Sequence, residues 1–196
     1  DLEYAEKAYR IFTEDLKASA TTRAVIFGTI HTPATILLME KLEAAGLKTY
    51  VGRVNMDQNC TDLLKEKNAD ASLADTAEWL KKTVNQYQNT KPILTPRFAP
   101  TCSEPLLKGL GKLQKEYQAP VQSHLSENLS EIAWVKELFP WSSCYGDVYH
   151  QCGLFGGEAK TIMAHCVHSC DIEVEMMREK GVYVAPVSYT HLRAHE

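Results

Sequence analysis

Six short apolar runs, each parted from the next by a longer polar or amphipathic stretch, constrain this chain more than any other feature. They cover residues 24–27, 49–54, 92–95, 120–122, 161–164 and 182–185. Runs so continuously apolar must be covered on both faces, as parallel strands beneath helices are. Between two of them Leu73, Ala77, Leu80, Val84 and Tyr87 fall at three- and four-residue steps, one buried stripe of a helix over 73–87. Residues 36–47 read the same way, with Gly46 as the stop. Residues 103–117 open on Ser103 as N-cap, with Glu104 and Pro105 suiting the first turn. Ile132, Val135 and Leu138 stripe a further helix that Pro140 ends, and the N-terminal stretch is acidic and helix-like. The expectation is an α/β fold with five or six strand–helix units over 24–185. Periodicity leaves open whether the sheet stays open or closes as part of a barrel.

Most of the runs end on polar or charged residues. Arg97 and Phe98 follow one, His124 to Glu127 another, His165 to His168 a third. Chemistry in β/α folds sits at the carboxyl ends of the strands, so one edge is expected to collect Asp57, Arg97, His124, Glu127 and His165.

Composition narrows the partners. With 44% hydrophobic and 23% charged residues the chain is globular, and disorder is disfavoured. A net charge of -4 offers no basic field for a phosphate backbone, so no nucleic-acid polymer is expected. No apolar run approaches the roughly 20 residues of a membrane span, and no signal peptide is visible. The chain begins at Asp1 rather than Met, so its true N-terminus is expected to be missing. Six cysteines without a C-x-x-C pair suit reduced thiols in a cytoplasmic protein. A structural zinc site among Cys144, Cys152, Cys166, Cys170 and the nearby His150, His165 and His168 is the alternative.

The chemistry-bearing residues admit two accounts each. A neutral imidazole at a strand end, His124, is a rigidly held nitrogen ligand for a divalent metal. Glu127, three residues on, can turn back over the same mouth and move a proton between water and substrate. The competing account is a helix N-cap, since Ser126 and Asn128 are good caps and Glu is common in first turns. His165 delivers a second imidazole to the same edge; two such histidines with an acid beside one favour function over structure. Arg97, aimed by Pro96, is either an ordinary ion-pair partner or a planar fork for a ring carbonyl or nitrogen, with Phe98 as a flat apolar wall.

The segments Thr95-Pro96-Arg97-Phe98, Gln122-Ser123-His124-Leu125-Ser126-Glu127-Asn128 and Met163-Ala164-His165-Cys166, in that order and spacing, resemble those of the guanine deaminases. The resemblance spans about residues 1–185 and includes 51–57 and 146–157. That family belongs to the metal-dependent amidohydrolase superfamily, whose fold is a (β/α)8 TIM barrel. What it implies here is a partial barrel of about strands 2 to 7. It also implies His124 as a zinc ligand (iron would suit the same imidazole) and Glu127 as proton shuttle. His165 becomes the histidine that positions and polarises the hydrolytic water. Arg97 and Phe98, with His124 and Glu127 beside them, become the guanine-binding residues. The implied reaction is guanine to xanthine and ammonia, in a cytoplasmic enzyme that is a homodimer when intact. A triazine chlorohydrolase or another aminohydrolase of the same branch is the alternative, as is a scaffold that has lost its metal site.

The same resemblance calls for a His-x-His pair on the first barrel strand and an Asp on the eighth, and neither is present. The chain is therefore expected to be an internal piece, inactive alone, with residues 1–185 as the barrel domain. Residues 186–196 depart from the family pattern and are expected to be a non-homologous tail.

Overall fold

The computed structural model of the chain describes residues 1–186. It opens with helix α1 (Leu2–Ala18), strand β1 (Arg23–Phe27) and helix α2 (Thr32–Ala44). Strands β2 (Lys48–Gly52) and β3 (Val54–Asn55) lead to helix α3 (Ala69–Thr83). Strands β4 (Thr90–Pro92) and β5 (Thr95–Pro96) precede helix α4 (Glu104–Tyr117), and β6 (Val121–Leu125) precedes α5 (Leu129–Leu138) and α6 (Tyr145–Gln151). Strand β7 (Thr161–His165), helix α7 (Asp171–Lys180) and β8 (Tyr183–Ala185) complete the order.

Among the described residues every strand pairing is parallel, in three sheets of paired ladders: β1-β2-β4, β3-β5 and β6-β7-β8. Backbone bonds join the ladders. The Leu94 amide donates to the Pro120 carbonyl at 2.8 Å, and the Gln122 amide to the Leu94 carbonyl at 2.9 Å. Order in space thus follows order in the chain, which is what repeated strand–helix–strand units produce. The α/β class and the parallel arrangement expected from the apolar runs are present.

Boundaries shift for physical reasons. The run over 49–54 divides because Arg53 turns its side chain into the protein, where it is 2% exposed. The run over 92–95 divides too, and the second ladder stops at Pro96, which has no N–H to donate. The strand at 120–122 continues past His124 to Leu125, and the next helix starts at Leu129 rather than near Ser126. The helix expected over 73–87 begins at Ala69, where Asn68 caps it by accepting from the Ala71 amide, and ends at Thr83. Ser103 caps α4 as expected, accepting from the Leu106 amide. Helices α6 and α7 were not anticipated. The buried side chains of α7 are Glu173 and Met177, so it carries no apolar stripe to read.

The core lies between the strands and their helices. Leu38, Met39 and Leu42 of α2, Trp79 and Leu80 of α3, and Leu106, Leu107 and Leu110 of α4 pack over Val51, Leu94, Val121 and Met163. Two glycines permit the closest approaches. A Cβ at Gly52 would lie 1.7 Å from Thr95 Oγ1, and one at Gly111 would lie 1.8 Å from the Cys152 carbonyl oxygen. Of the expected tail, all but Pro186 lies outside the described residues.

Candidate active site

Register alone would not bring the two histidines together. In the β6–β7 ladder His124 stands opposite Ala164, and His165 opposite Leu125, a fully buried core residue. Alternating side chains would therefore send His124 and His165 to opposite faces. The backbone of His165 instead takes φ +75°, followed by Cys166 at +57°. Two successive non-glycine residues in the left-handed region are costly and persist only where the surroundings hold them. The result is that the His165 ring stacks on His124, with centroids 5.4 Å apart and planes 23° from parallel. Phe27, at the end of β1, packs on the other imidazole at 4.7 Å.

His124 is held in one tautomer. Its Nδ1–H donates to the Arg97 carbonyl at 2.7 Å, which leaves Nε2 with a lone pair. Burial lowers its pKa below the ordinary value; the Arg97 carbonyl and the Glu127 carboxylate oppose this, and the Arg97 charge assists it. A neutral imidazole with one nitrogen spent on a carbonyl is the form in which histidine binds a metal. His124 fits that role. Among the described residues no group of three or more His, Cys, Asp or Glu side chains lies together as a complete metal site. Cys144 and Cys166 are buried enough to push their thiols up to about 11 and about 12.

Glu127 does not cap a helix. Asn128 is the N-cap of α5 and accepts from the amide of Glu131, so Glu127 stands outside the first turn. Ser126, which turns through φ +48°, sends its hydroxyl to Glu173 Oε2 at 2.7 Å instead of to the helix. With Asn128 capping the helix and Ser126 turned to Glu173, the Glu127 carboxylate reaches 3.6 Å from His165 Nε2. Of the capping account, Asn128 is the cap as expected, while Ser126 does not cap and Glu127 lies before the first turn.

Arg97 and Phe98 leave β5 at the same mouth. The exposed guanidinium lies 5.2 Å from the Phe98 ring centroid, and Trp134 of α5 meets that ring edge-on at 6.1 Å. Their backbone is pinned from both sides. The Arg97 amide donates to the Asn55 carbonyl at 3.1 Å, and Ser123 Oγ donates to the Pro96 carbonyl at 2.8 Å. Asp57 stands on the expected edge but is committed to structure: it accepts from the Ser103 amide at 2.7 Å and the Ser103 hydroxyl at 2.6 Å.

Three residues at the site lie beyond what local sequence signals identify. Trp134 falls off the 132/135/138 stripe, and an aromatic off a core stripe was the available clue. Tyr149 and Glu173 are fully buried, and each acts through partners more than 20 residues away.

The sequence profile described as "Amidohydrolase family" matches residues 1–196. The chain is 39% identical over 193 residues to a probable guanine deaminase of Schizosaccharomyces pombe, covering 96% of this chain and 36% of that protein. It is 36% identical over 197 residues to the guanine deaminase of Escherichia coli (strain K12), covering 98% of this chain and 44% of that protein. The crystal structure of guanine deaminase from C. acetobutylicum with guanine bound in its active site superposes with TM-score 0.91 at 47% identity. That match covers 94% of this chain and 43% of that one. The chain thus spans less than half the length of each of these proteins. With the profile matching from end to end, this chain belongs to the amidohydrolase family.

Proposed function

We propose that this chain provides part of the active site of an enzyme that hydrolyses guanine to xanthine and ammonia. In this account residues 1–185 make up about strands 2 to 7 of a (β/α)8 barrel. The observation that carries it is the meeting, at one strand-end mouth, of the Arg97–Phe98 pair with two stacked imidazoles and the Glu127 carboxylate. Likeness to guanine deaminases over nearly all of the chain supports the choice of substrate.

Guanine lies against Phe98, and the planar fork of Arg97 donates to its ring carbonyl or a ring nitrogen. Water adds at C2. Glu127 takes one proton from it and delivers that proton to the ring nitrogen N3. Glu127 then takes the second proton from the new C2 hydroxyl and hands it to the amino group; the C2–N bond breaks, ammonia leaves and the C2 carbonyl of xanthine forms. His165, beside Glu127, orients and polarises the attacking water. His124 would hold zinc through Nε2. When bound, zinc makes water acidic enough to attack near neutrality, its pKa falling to about 7 in favourable sites. A cytoplasmic homodimer is the expected setting.

The test is ammonia release by the full-length protein from guanine, adenine and a chlorinated triazine. Guanine is expected to be the preferred substrate, and Arg97→Lys, which keeps the charge but loses the fork, should lower kcat/KM for guanine by about 10–100-fold. Turnover of the triazine without guanine would sink the proposal.

A further inference from the structure

Tyr149 lies in the middle of α6, a helix that supplies none of the residues placed in the reaction above, and its side chain is fully buried. Its ring stacks on Tyr145 with centroids 5.8 Å apart, and its hydroxyl ends between two segments of the site. On one side the Ala99 amide, one residue after Phe98, donates to Tyr149 Oη at 2.8 Å. On the other, Oη lies 2.8 Å from Ser123 Oγ and 3.0 Å from the His124 carbonyl. The proton count is restrictive. Ser123 gives its only proton to the Pro96 carbonyl at 2.8 Å, so in the 2.8 Å bond between the hydroxyls Tyr149 is the donor, and the His124 carbonyl at 3.0 Å shares that same proton. The two hydroxyls therefore form one chain, from the Ala99 amide through Tyr149 and Ser123 to the Pro96 carbonyl. It brackets Arg97 and Phe98 from before and after, and anchors both ends to the strand that carries His124.

We propose that Tyr149 is a positioning residue for substrate recognition. Its hydroxyl fixes the backbone of the Arg97–Phe98 segment at the distance from His124 that a purine requires. This rests on the guanine account of Arg97 and Phe98. The tyrosine touches neither substrate nor reacting atoms; it acts through the Ala99 amide and the Pro96 carbonyl. A phenylalanine would preserve the ring packing and strand the Ala99 N–H in a dry interior, and a buried donor without a partner shifts local equilibria by about tenfold.

The experiment compares the full-length zinc-loaded enzyme with its Tyr149→Phe, Ser123→Ala and doubly substituted forms, reading kcat and KM for guanine, bound zinc and amide hydrogen exchange over residues 97–101. Tyr149→Phe is expected to raise KM about tenfold while kcat changes by less than about threefold and bound zinc stays constant. Ser123→Ala should move KM the same way, and the double variant should fall short of the product of the two because both break one chain. Exchange over 97–101 should quicken in each variant. An unchanged KM overturns the proposal, as does a fall in kcat or zinc with KM held, which would tie the tyrosine to His124 alone. If wild-type enzyme does not turn over guanine, the guanine account fails, and exchange over 97–101 still decides whether Tyr149 holds the segment. Should Tyr149→Phe not fold, an unchanged KM and exchange in Ser123→Ala would overturn the proposal.

Discussion

At Cys166 the side chain matters less than the backbone beneath it. The residue follows His165 through a second left-handed turn, and its amide donates to the Leu125 carbonyl at 2.8 Å, which ties the end of β7 to the end of β6. A β-branched side chain tolerates that backbone poorly, so Cys166→Val should lower unfolding free energy by about 1–3 kcal/mol, while Cys166→Gly should not lower it. Urea titration of the full-length protein reads both. Glu131 offers a test in pH. Burial, the larger cause, pushes its carboxyl above the ordinary value, with the Glu127 charge adding to the effect. A group raised in the folded state contributes stability that is full below its unfolded pKa and lost as pH rises through the folded one. Glu131→Gln should therefore raise the melting temperature relative to wild type more at about pH 8 than at about pH 4. An equal effect at both pH values would contradict the burial argument. At this scale the sequence was informative where a residue's position follows from the end of a strand. His124, His165, Glu127, Arg97 and Phe98 all stand where the strand–helix alternation puts them. Which of two local roles Glu127 plays was not legible, because the partner that draws Ser126 away from capping, Glu173, is 47 residues distant.

Elements are held in register by a buried polar network that no pattern of apolar residues announces. Arg53 separates β2 from β3 and donates to Glu66 at 2.6 Å, to Thr32 at 2.9 Å and to the more exposed Asp75 at 3.3 Å. Glu66 in turn accepts from the Met56 amide at 3.0 Å and the Ser72 hydroxyl at 2.7 Å, which joins β3 to α3. Removing one partner of a buried pair leaves the other charge uncompensated. Glu66→Ala should thus cost about 3 kcal/mol of stability, measurable by urea titration, and a loss under about 1 kcal/mol would show the network to be dispensable. The six strand positions and the helices over α2, α3, α4 and α5 were legible because each buries an apolar face. The breaks at Arg53 and Pro96 and the helices α6 and α7 were not. Arg53 and Glu173 are polar residues paid for by partners far along the chain, and periodicity is blind to such pairs.

Across the whole molecule, three parallel ladders bring residues from β1, β5, β6 and β7 to one mouth. Among the described residues no helix is long and apolar enough to cross a membrane. Because no group of three or more candidate ligands forms among the described residues, the 196-residue chain alone should bind zinc weakly and release no ammonia from guanine. Calorimetric zinc titration and an ammonia assay on that chain would check it, and tight binding would refute the incomplete-site account. Fold class was legible from the alternation of runs, whereas the joining of the ladders depends on bonds such as Leu94 to Pro120 that have no local signature. The central claim is that Glu127 moves both protons of the reaction, and steady-state guanine turnover by the full-length enzyme and its Glu127→Gln variant, at matched zinc content, tests it most directly. The account predicts a fall in kcat of about 10²–10⁴-fold with KM little changed; full activity in the Glu127→Gln enzyme would contradict it.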